Sequence, residues 1–499
     1  FSFRSKSFCK MRSCLKFVIT INVGVVLLIC GIVVGILWPM IFNSILEKQL
    51  MLSSDSINYK FWKETPIPMY LKLHMFNWTN YEDFKSGGKQ KPNFVEMGPY
   101  VFRQVDYKVN QKWNENGTIT FHRTKVWHFE QSLSNGSLSD KITNLNPVAT
   151  TVAYMFRFKR SAARDLLGRM MYSLGQRLTV TKTVQEILFD GYNDTMLLIA
   201  RAMKVSKIPY TKFGWFYSRN GSATYDGTFN ILTGAASLYD TGMLKEWNFN
   251  SRTEFYKGQC GTIKGSLGDL WPPLPDNKTI PIFVSDICTL ELRYENSTTH
   301  EGLTGSTYIS DDTMLDNGTK VPSRNCYCQG IDCVPSGTLN ISLCKYDAPI
   351  FVSLPHFYLA DPSYRENVDG MNPEKEKHEM SISLEPETGV PLRVAARLQL
   401  NMLVQPDDEM EIFRNIKRTF IPMLWFTQEA KLTSEYAGQV KFLKILESLG
   451  IVTFFGIAAI GLLISFIGIF LIIRQRWRGD DNRVLLSENE NYDGSNING

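Results

Sequence analysis

Charge is missing from two stretches of this 499-residue chain, residues 17–42 (FVITINVGVVLLICGIVVGILWPMIF) and 449–473 (LGIVTFFGIAAIGLLISFIGIFLII). A helix needs about 20 apolar residues to cross a bilayer, so each run is long enough to be a transmembrane helix. The first also exceeds the apolar core of a signal peptide, about 7–15 residues, and no small-residue cleavage site follows it before Trp38-Pro39.

Catalytic patterns are missing too. The sequence has no H-E-x-x-H, no G-x-S-x-G and no G-x-x-x-x-G-K-[ST]. Its six histidines, His74, His122, His128, His300, His356 and His378, include no i, i+4 pair. His356 in SLPHF reads as a packed residue near a strand end, and Asp311-Asp312 and Asp407-Asp408 read as solvated loop charges. Nothing here supports an enzyme, a cofactor or a metal; an ectoenzyme is the remote alternative. The central region carries a net charge of only +1, which argues against a nucleic-acid binder.

What is present gives a topology. Arg4, Lys6, Lys10, Arg12 and Lys16 precede the first run, and Arg474, Arg476 and Arg478 follow the second. Lys and Arg beside a span mark the cytoplasmic side, so both tails (1–16 and 474–499) are expected in the cytosol and residues 43–448 outside it. Nine glycan acceptor sequons agree: Asn77, Asn116, Asn135, Asn193, Asn220, Asn277, Asn296, Asn317 and Asn340 all lie between the runs. Cysteines divide the same way. Cys9 and Cys14 beside the first span are palmitoylation candidates, with ordinary reduced thiols as the plainer reading. Cys260, Cys288, Cys326, Cys328, Cys333 and Cys344 are an even set in an oxidising compartment, which reads as three disulfides with 15 connectivities open. A metal site at Cys326-x-Cys328-x4-Cys333 lacks the paired C-x2-C spacing of zinc sites.

Local patterns predict an α+β ectodomain. Val101, Val105, Tyr107 and Val109 share one strand face, and Asn116-Gly117 turns the chain into TITFHRTKVWHF. Leu392 to Val404 alternate apolar and polar residues, as an antiparallel sheet with one buried face requires. Residues 151–202 differ: Ala163, Leu167, Met170 and Leu174 recur at helical spacing, with Arg157, Arg160 and Arg164 on another face, predicting two or three helices. Gly31-x-x-x-Gly35 in the first span has the spacing of close helix contacts, which suits a homo-oligomer.

From Pro92 onward the chain resembles the class B scavenger receptor family. The stretches that carry this are Gly98-Pro99-Tyr100, EILFDGY (186–192), SATYDGTFNILTG (222–234), SDIC (285–288), SLPHFYLADP (353–362) and DGMNPEKEKHEMSISLEPETG (369–389). Among its branches the chain looks most like an insect croquemort-type member. The resemblance implies a large antiparallel β-barrel-like ectodomain with a helical cap, here residues 151–202, and an internal apolar tunnel. It also implies the pairings Cys260–Cys326, Cys288–Cys344 and Cys328–Cys333. It implies a receptor at the plasma membrane, or in endosomes and lysosomes. Its partners would be fatty acids, sterol esters or anionic phospholipids, and lipoproteins or apoptotic or microbial surfaces.

Between Arg157 and Lys182 in the expected cap, Arg157, Lys159, Arg160, Arg164, Arg169, Arg177 and Lys182 stand against a single acid, Asp165. A solvated face normally mixes signs, so this set reads as a ligand surface for polyanions rather than Arg stems covering apolar surface. The lysines of the family's fatty acid translocase are not matched one for one; Arg177 is the nearest cation. In the tail, Asp481 with Leu485 and Leu486 forms D-x-x-x-L-L, an acidic dileucine signal for clathrin adaptors. The reading is therefore a scavenger receptor for lipid uptake or endocytosis. A lysosomal sorting receptor carrying a soluble hydrolase is the rival that the tail favours.

Overall fold

The computed structural model describes residues 2–85, 90–202, 209–274, 278–328 and 333–493, with backbone alone for 2–14, 85 and 478–493. It divides into two units: the terminal segments up to Lys48 and from Gly438, and Gln49–Ala437.

In the first unit two helices, Ser2–Leu50 and Ser434–Asp493, contain apolar spans long enough to cross a membrane, each with mean hydropathy 2.8. Small residues let these helices meet. A side chain on Gly31 would lie 2.6 Å from the Ala458 nitrogen, and Gly24 faces Ser465. In a membrane, such close backbone approach replaces the missing hydrophobic drive. Gly35 faces Phe455, so the Gly31-x-x-x-Gly35 spacing is used within the chain.

The second unit is built on an antiparallel sheet of long and short strands. Pro391–Val404, Thr419–Lys431, Met69–Trp78, Phe94–Asn114 and Thr118–Phe129 lie side by side in that order. Thr228–Leu232 and Leu244–Trp247 extend one edge. Ser381–Leu384, Leu303–Ile309, Cys288–His300 and Thr279–Val284 extend the other. The two ends approach through Ser266, which bridges Met243 on one side and Ile282 on the other, so the sheet is a nearly closed barrel. The Asn116-Gly117 turn forms where expected, because Gly117 supplies φ +71°.

Along Phe94–Asn114 the polar face is the more deeply buried one from Gln104 to Lys108. Val105 and Val109 are half-buried and Tyr107 is exposed, whereas Gln104, Asp106 and Lys108 are buried. Pairing explains the buried polar face. Lys108 Nζ lies 2.7 Å from Asp269, Arg123 Nε donates to Asp106 at 2.7 Å, and Gln104 donates to the other Asp106 oxygen at 2.7 Å. Burial alone would push the Asp106 carboxyl up, but Arg123, Lys108 and Lys125 hold it below its usual value. The network continues through Lys125, Asp226, Arg219, Asp286 and Lys345. Strand Pro391–Val404 alternates as expected through Leu392, Val394 and Leu398, but Gln399 and Asn401 are fully buried as well. Ile350–Ser353 pairs antiparallel with that end of the strand, and Asn401 donates to Ser353 Oγ at 3.0 Å.

Among the described residues two cysteine pairs are joined, Cys260–Cys326 and Cys328–Cys333. The third implied pair, Cys288–Cys344, is not bonded: both are free thiols in hydrogen-bond contact with each other, and Thr253 Oγ1 lies 3.8 Å from the Cys288 sulfur.

Candidate ligand surface on the helical insertion

Between Phe129 and Thr228 the chain leaves the sheet, and among the described residues three α-helices follow: Pro147–Phe156, Ser161–Ser173 and Thr195–Ala202. The first starts sharply for a local reason. Asn146 Oδ1 accepts from the N–H groups of Val148 and Ala149, both at 3.1 Å, and Pro147 occupies the first turn, where no N–H is needed. The insertion is not helical throughout. Thr179–Thr183, rich in β-branched residues, pairs with Lys141–Leu145 as a two-stranded ribbon. Lys182 therefore stands on a strand and Arg177 before it, off the helices. Arg157 and Arg160 flank the break between the first two helices, so the helical face expected for Arg157, Arg160 and Arg164 does not form.

The seven cations divide by environment. Arg164 is half-buried and donates to Asp407 at 2.9 Å, so Asp407 is a buried ion-pair partner and not the solvated loop charge expected of it. Arg157 lies over the Tyr154 ring at 3.5 Å and the Phe158 ring at 4.3 Å, and donates to the Tyr154 carbonyl. Lys182 is half-buried 5.2 Å from the Tyr192 ring. These three hold the fold together by pairing and cation–π contact. Lys159, Arg160, Arg169 and Arg177 are exposed. Arg169 pairs with Asp165 in a solvated contact at 2.8 Å, and Arg177 leans over Tyr172 at 5.3 Å. Lys159 and Arg160 have no ion-pair partner among the described residues.

Apolar side chains stand among the exposed cations. Phe158 is 66% exposed and Leu166 69%, with Met170 and Tyr172 beside them on the same insertion. The opposite side of Ser161–Ser173 buries Leu167, Gly168 and Met171, and Gly168 backs directly onto Met410. The helix thus carries a second, outward apolar stripe that its own packing does not need. A search for charge passes over Phe158 and Leu166. The signal that could have found the stripe is the pairing of Leu166 with Met170 at i, i+4, one position out of phase with the buried Leu167 and Met171. A cavity of about 280 Å³ is lined by Tyr154, Arg157, Phe158, Arg164, Asp407 and Arg418 among others.

The other expected sites fall out unevenly. Asn116, Asn135, Asn193, Asn220 and Asn296 are exposed and Asn77 is half-buried. Asn317 and Asn340 are enclosed, at 4% and 7% exposure. Asn317 Nδ2 donates to the Val334 carbonyl, and Asn340 Oδ1 accepts from Ser342 N–H, so both side chains are packed into the folded chain. Asn277 lies outside the described residues, as do the side chains of Cys9, Cys14, Asp481, Leu485 and Leu486. Among the described residues no cluster of His, Cys, Asp and Glu is arranged to hold a metal ion.

Comparison with known proteins places this architecture. The model of the CD36 family matches residues 22–472. Protein peste of Drosophila melanogaster is 36% identical over 442 residues, covering 86% of this chain and 79% of peste. Scavenger receptor class B member 1 of Cricetulus griseus is 30% identical over 425 residues, covering 84% and 82%. Lysosome membrane protein 2 of Mus musculus is 33% identical over 401 residues, covering 79% and 82%.

Proposed function

This chain belongs to the CD36 family, the class B scavenger receptors, and from that premise we propose that it binds anionic lipid surfaces through its helical insertion and takes up lipid or lipid-bearing particles. One observation carries the reading: on the insertion the cations Lys159, Arg160 and Arg177 are exposed, and so are the apolar side chains of Phe158, Leu166, Met170 and Tyr172. Cations attract an anionic headgroup layer, and apolar side chains among them gain by leaving water for its acyl boundary. No covalent chemistry is required. The insertion would face the extracellular or lumenal side of a two-pass protein whose tails are cytosolic.

The test separates exposed cations from structural ones. A basic residue near an anionic surface contributes about 1 kcal/mol, so Arg160→Ala with Arg177→Ala should weaken binding to phosphatidylserine vesicles by roughly 30-fold. Unchanged binding by the double variant would remove the insertion from ligand recognition.

A second reading has its own support. Lysosome membrane protein 2 is among the relatives, and Asp481, Leu485 and Leu486 form an acidic dileucine signal. On this reading the chain is an endosomal or lysosomal sorting receptor for a soluble hydrolase, with clathrin adaptors reading the tail. Leu485→Ala with Leu486→Ala should then trap the protein at the cell surface; surface biotinylation showing normal uptake would argue against the signal.

A further inference from the structure

Two of the stretches that mark the family meet in one histidine stack, which rests on the carboxylate of Glu96. Glu96 lies two residues before Gly98-Pro99-Tyr100, His356 lies in SLPHFYLADP, and His378 lies in DGMNPEKEKHEMSISLEPETG. Glu96 Oε2 is 2.6 Å from His356 Nε2, and Oε1 is 2.6 Å from His74 Nδ1. The His356 and His378 rings stack at 4.3 Å and 18°, and His74 stacks on Trp425 at 3.8 Å. His356 and His378 are 5% and 3% exposed.

Two further ring nitrogens are occupied. Asn372 N–H donates to His356 Nδ1 at 3.0 Å, and Glu374 N–H donates to His378 Nδ1 at 2.8 Å. A ring nitrogen that accepts carries no hydrogen, so the proton of neutral His356 sits on Nε2 and points at Glu96, and that of neutral His378 sits on its Nε2. A second proton can then enter either ring only at Nδ1. There it consumes the lone pair that receives a backbone N–H and leaves two N–H groups facing each other.

We propose that this cluster is an acid-operated latch, in which protonation of His378, stacked on His356, releases residues 372–378 from the sheet. The segment has little else to hold it. Its charged side chains Glu374, Lys375, Glu376 and Lys377 are exposed, and its ion pairs, Lys375 with Glu295 and Lys377 with Glu374, are solvent-facing. The groups that bear on the rings come from every neighbouring strand. Glu96 and His74 stand on one side, Arg397 on Pro391–Val404 is a further cation, and Glu374 is an acid of the segment itself. Burial and the adjacent His356 hold His378 down to about 4, so the closed latch keeps that ring uncharged at neutral pH. The device does not depend on which ligand the insertion binds.

Amide hydrogen exchange on the full-length chain tests it. After correction for intrinsic rates, protection of the Asn372 and Glu374 amides should fall about fivefold or more between pH 7.5 and pH 4.0, the loss of one hydrogen bond each. Amides of Pro391–Val404 should hold. His356→Asn with His378→Asn keeps an acceptor at the Nδ1 position and cannot be protonated, so it should abolish the step. A wild-type segment equally protected at both pH values overturns the latch. So does an equal acid response in the double variant. If that variant does not fold, the wild-type comparison still decides: a fall of the same size in Pro391–Val404 would mean general acid unfolding and no latch.

Discussion

Arg160 and Arg164 sit one helical turn apart and face opposite fates. Arg160 is exposed with no ion-pair partner among the described residues, whereas Arg164 is half-buried against Asp407. Replacing Arg164 with Ala leaves the buried Asp407 carboxylate without its charged partner and should cost about 1–3 kcal/mol in a denaturant melt, while Arg160→Ala should leave the melt unchanged. Equal effects would mean that the two arginines share one role. At the same scale, glycopeptide mapping should find Asn317 and Asn340 unoccupied and glycans on the exposed sequons, Asn135 and Asn296 among them. The sequence shows every cation and sequon but not its neighbours. Asp407 is 243 positions from Arg164 along the chain, and Glu96 is 260 positions from His356, so no local pattern announces either pair.

Among elements, Phe94–Asn114 teaches the most. Period-two reading finds the strand and the residues that share its apolar face, but gives no sign that the fold buries Gln104, Asp106 and Lys108 on the other face. Their partners Arg123 and Asp269 come from elsewhere, and a charge reads as exposed until its partner is known. Asp106→Ala should therefore be severe, about 3–5 kcal/mol, since it strands the Arg123 guanidinium; a loss below about 1 kcal/mol would contradict the network. The spans were legible from length and lack of charge alone. Their mutual packing was not: Gly31 and Gly35 could equally have faced another copy until Ala458 and Phe455 were placed against them. The implied Cys288–Cys344 bridge is a proposal at this scale. The two thiols face each other, and non-reducing peptide mapping of protein made through the secretory pathway is expected to return them as a third pair; alkylation of both as free thiols would exclude it.

For the whole molecule, fold class came from alternation, helical spacing and two apolar runs, while barrel closure came from the family resemblance and is seen in the Ser266 bridges. Acidity acts on this whole through His378. Its folded value is depressed to about 4 against an ordinary value of 6.5, so between those values the unfolded chain binds a proton that the folded chain does not. Stability is then full above pH 6.5 and is lost as pH falls toward 4. The buried carboxylates Asp106 and Asp226, held low by their cations, contribute fully above their ordinary value of 3.8 and lose that contribution as pH falls below it. Thermal melts from pH 7.5 to 4.5 should show a decline that His378→Asn flattens; an unchanged slope in that variant would assign the acid sensitivity elsewhere.

The most direct test of the receptor reading is flotation of the full-length protein, in detergent-free nanodiscs, with phosphatidylserine or phosphatidylcholine vesicles at low and high salt. Recognition by exposed cations around an apolar stripe predicts a strong preference for phosphatidylserine that falls steeply with salt. Equal binding to both vesicles, or binding indifferent to salt, would contradict it.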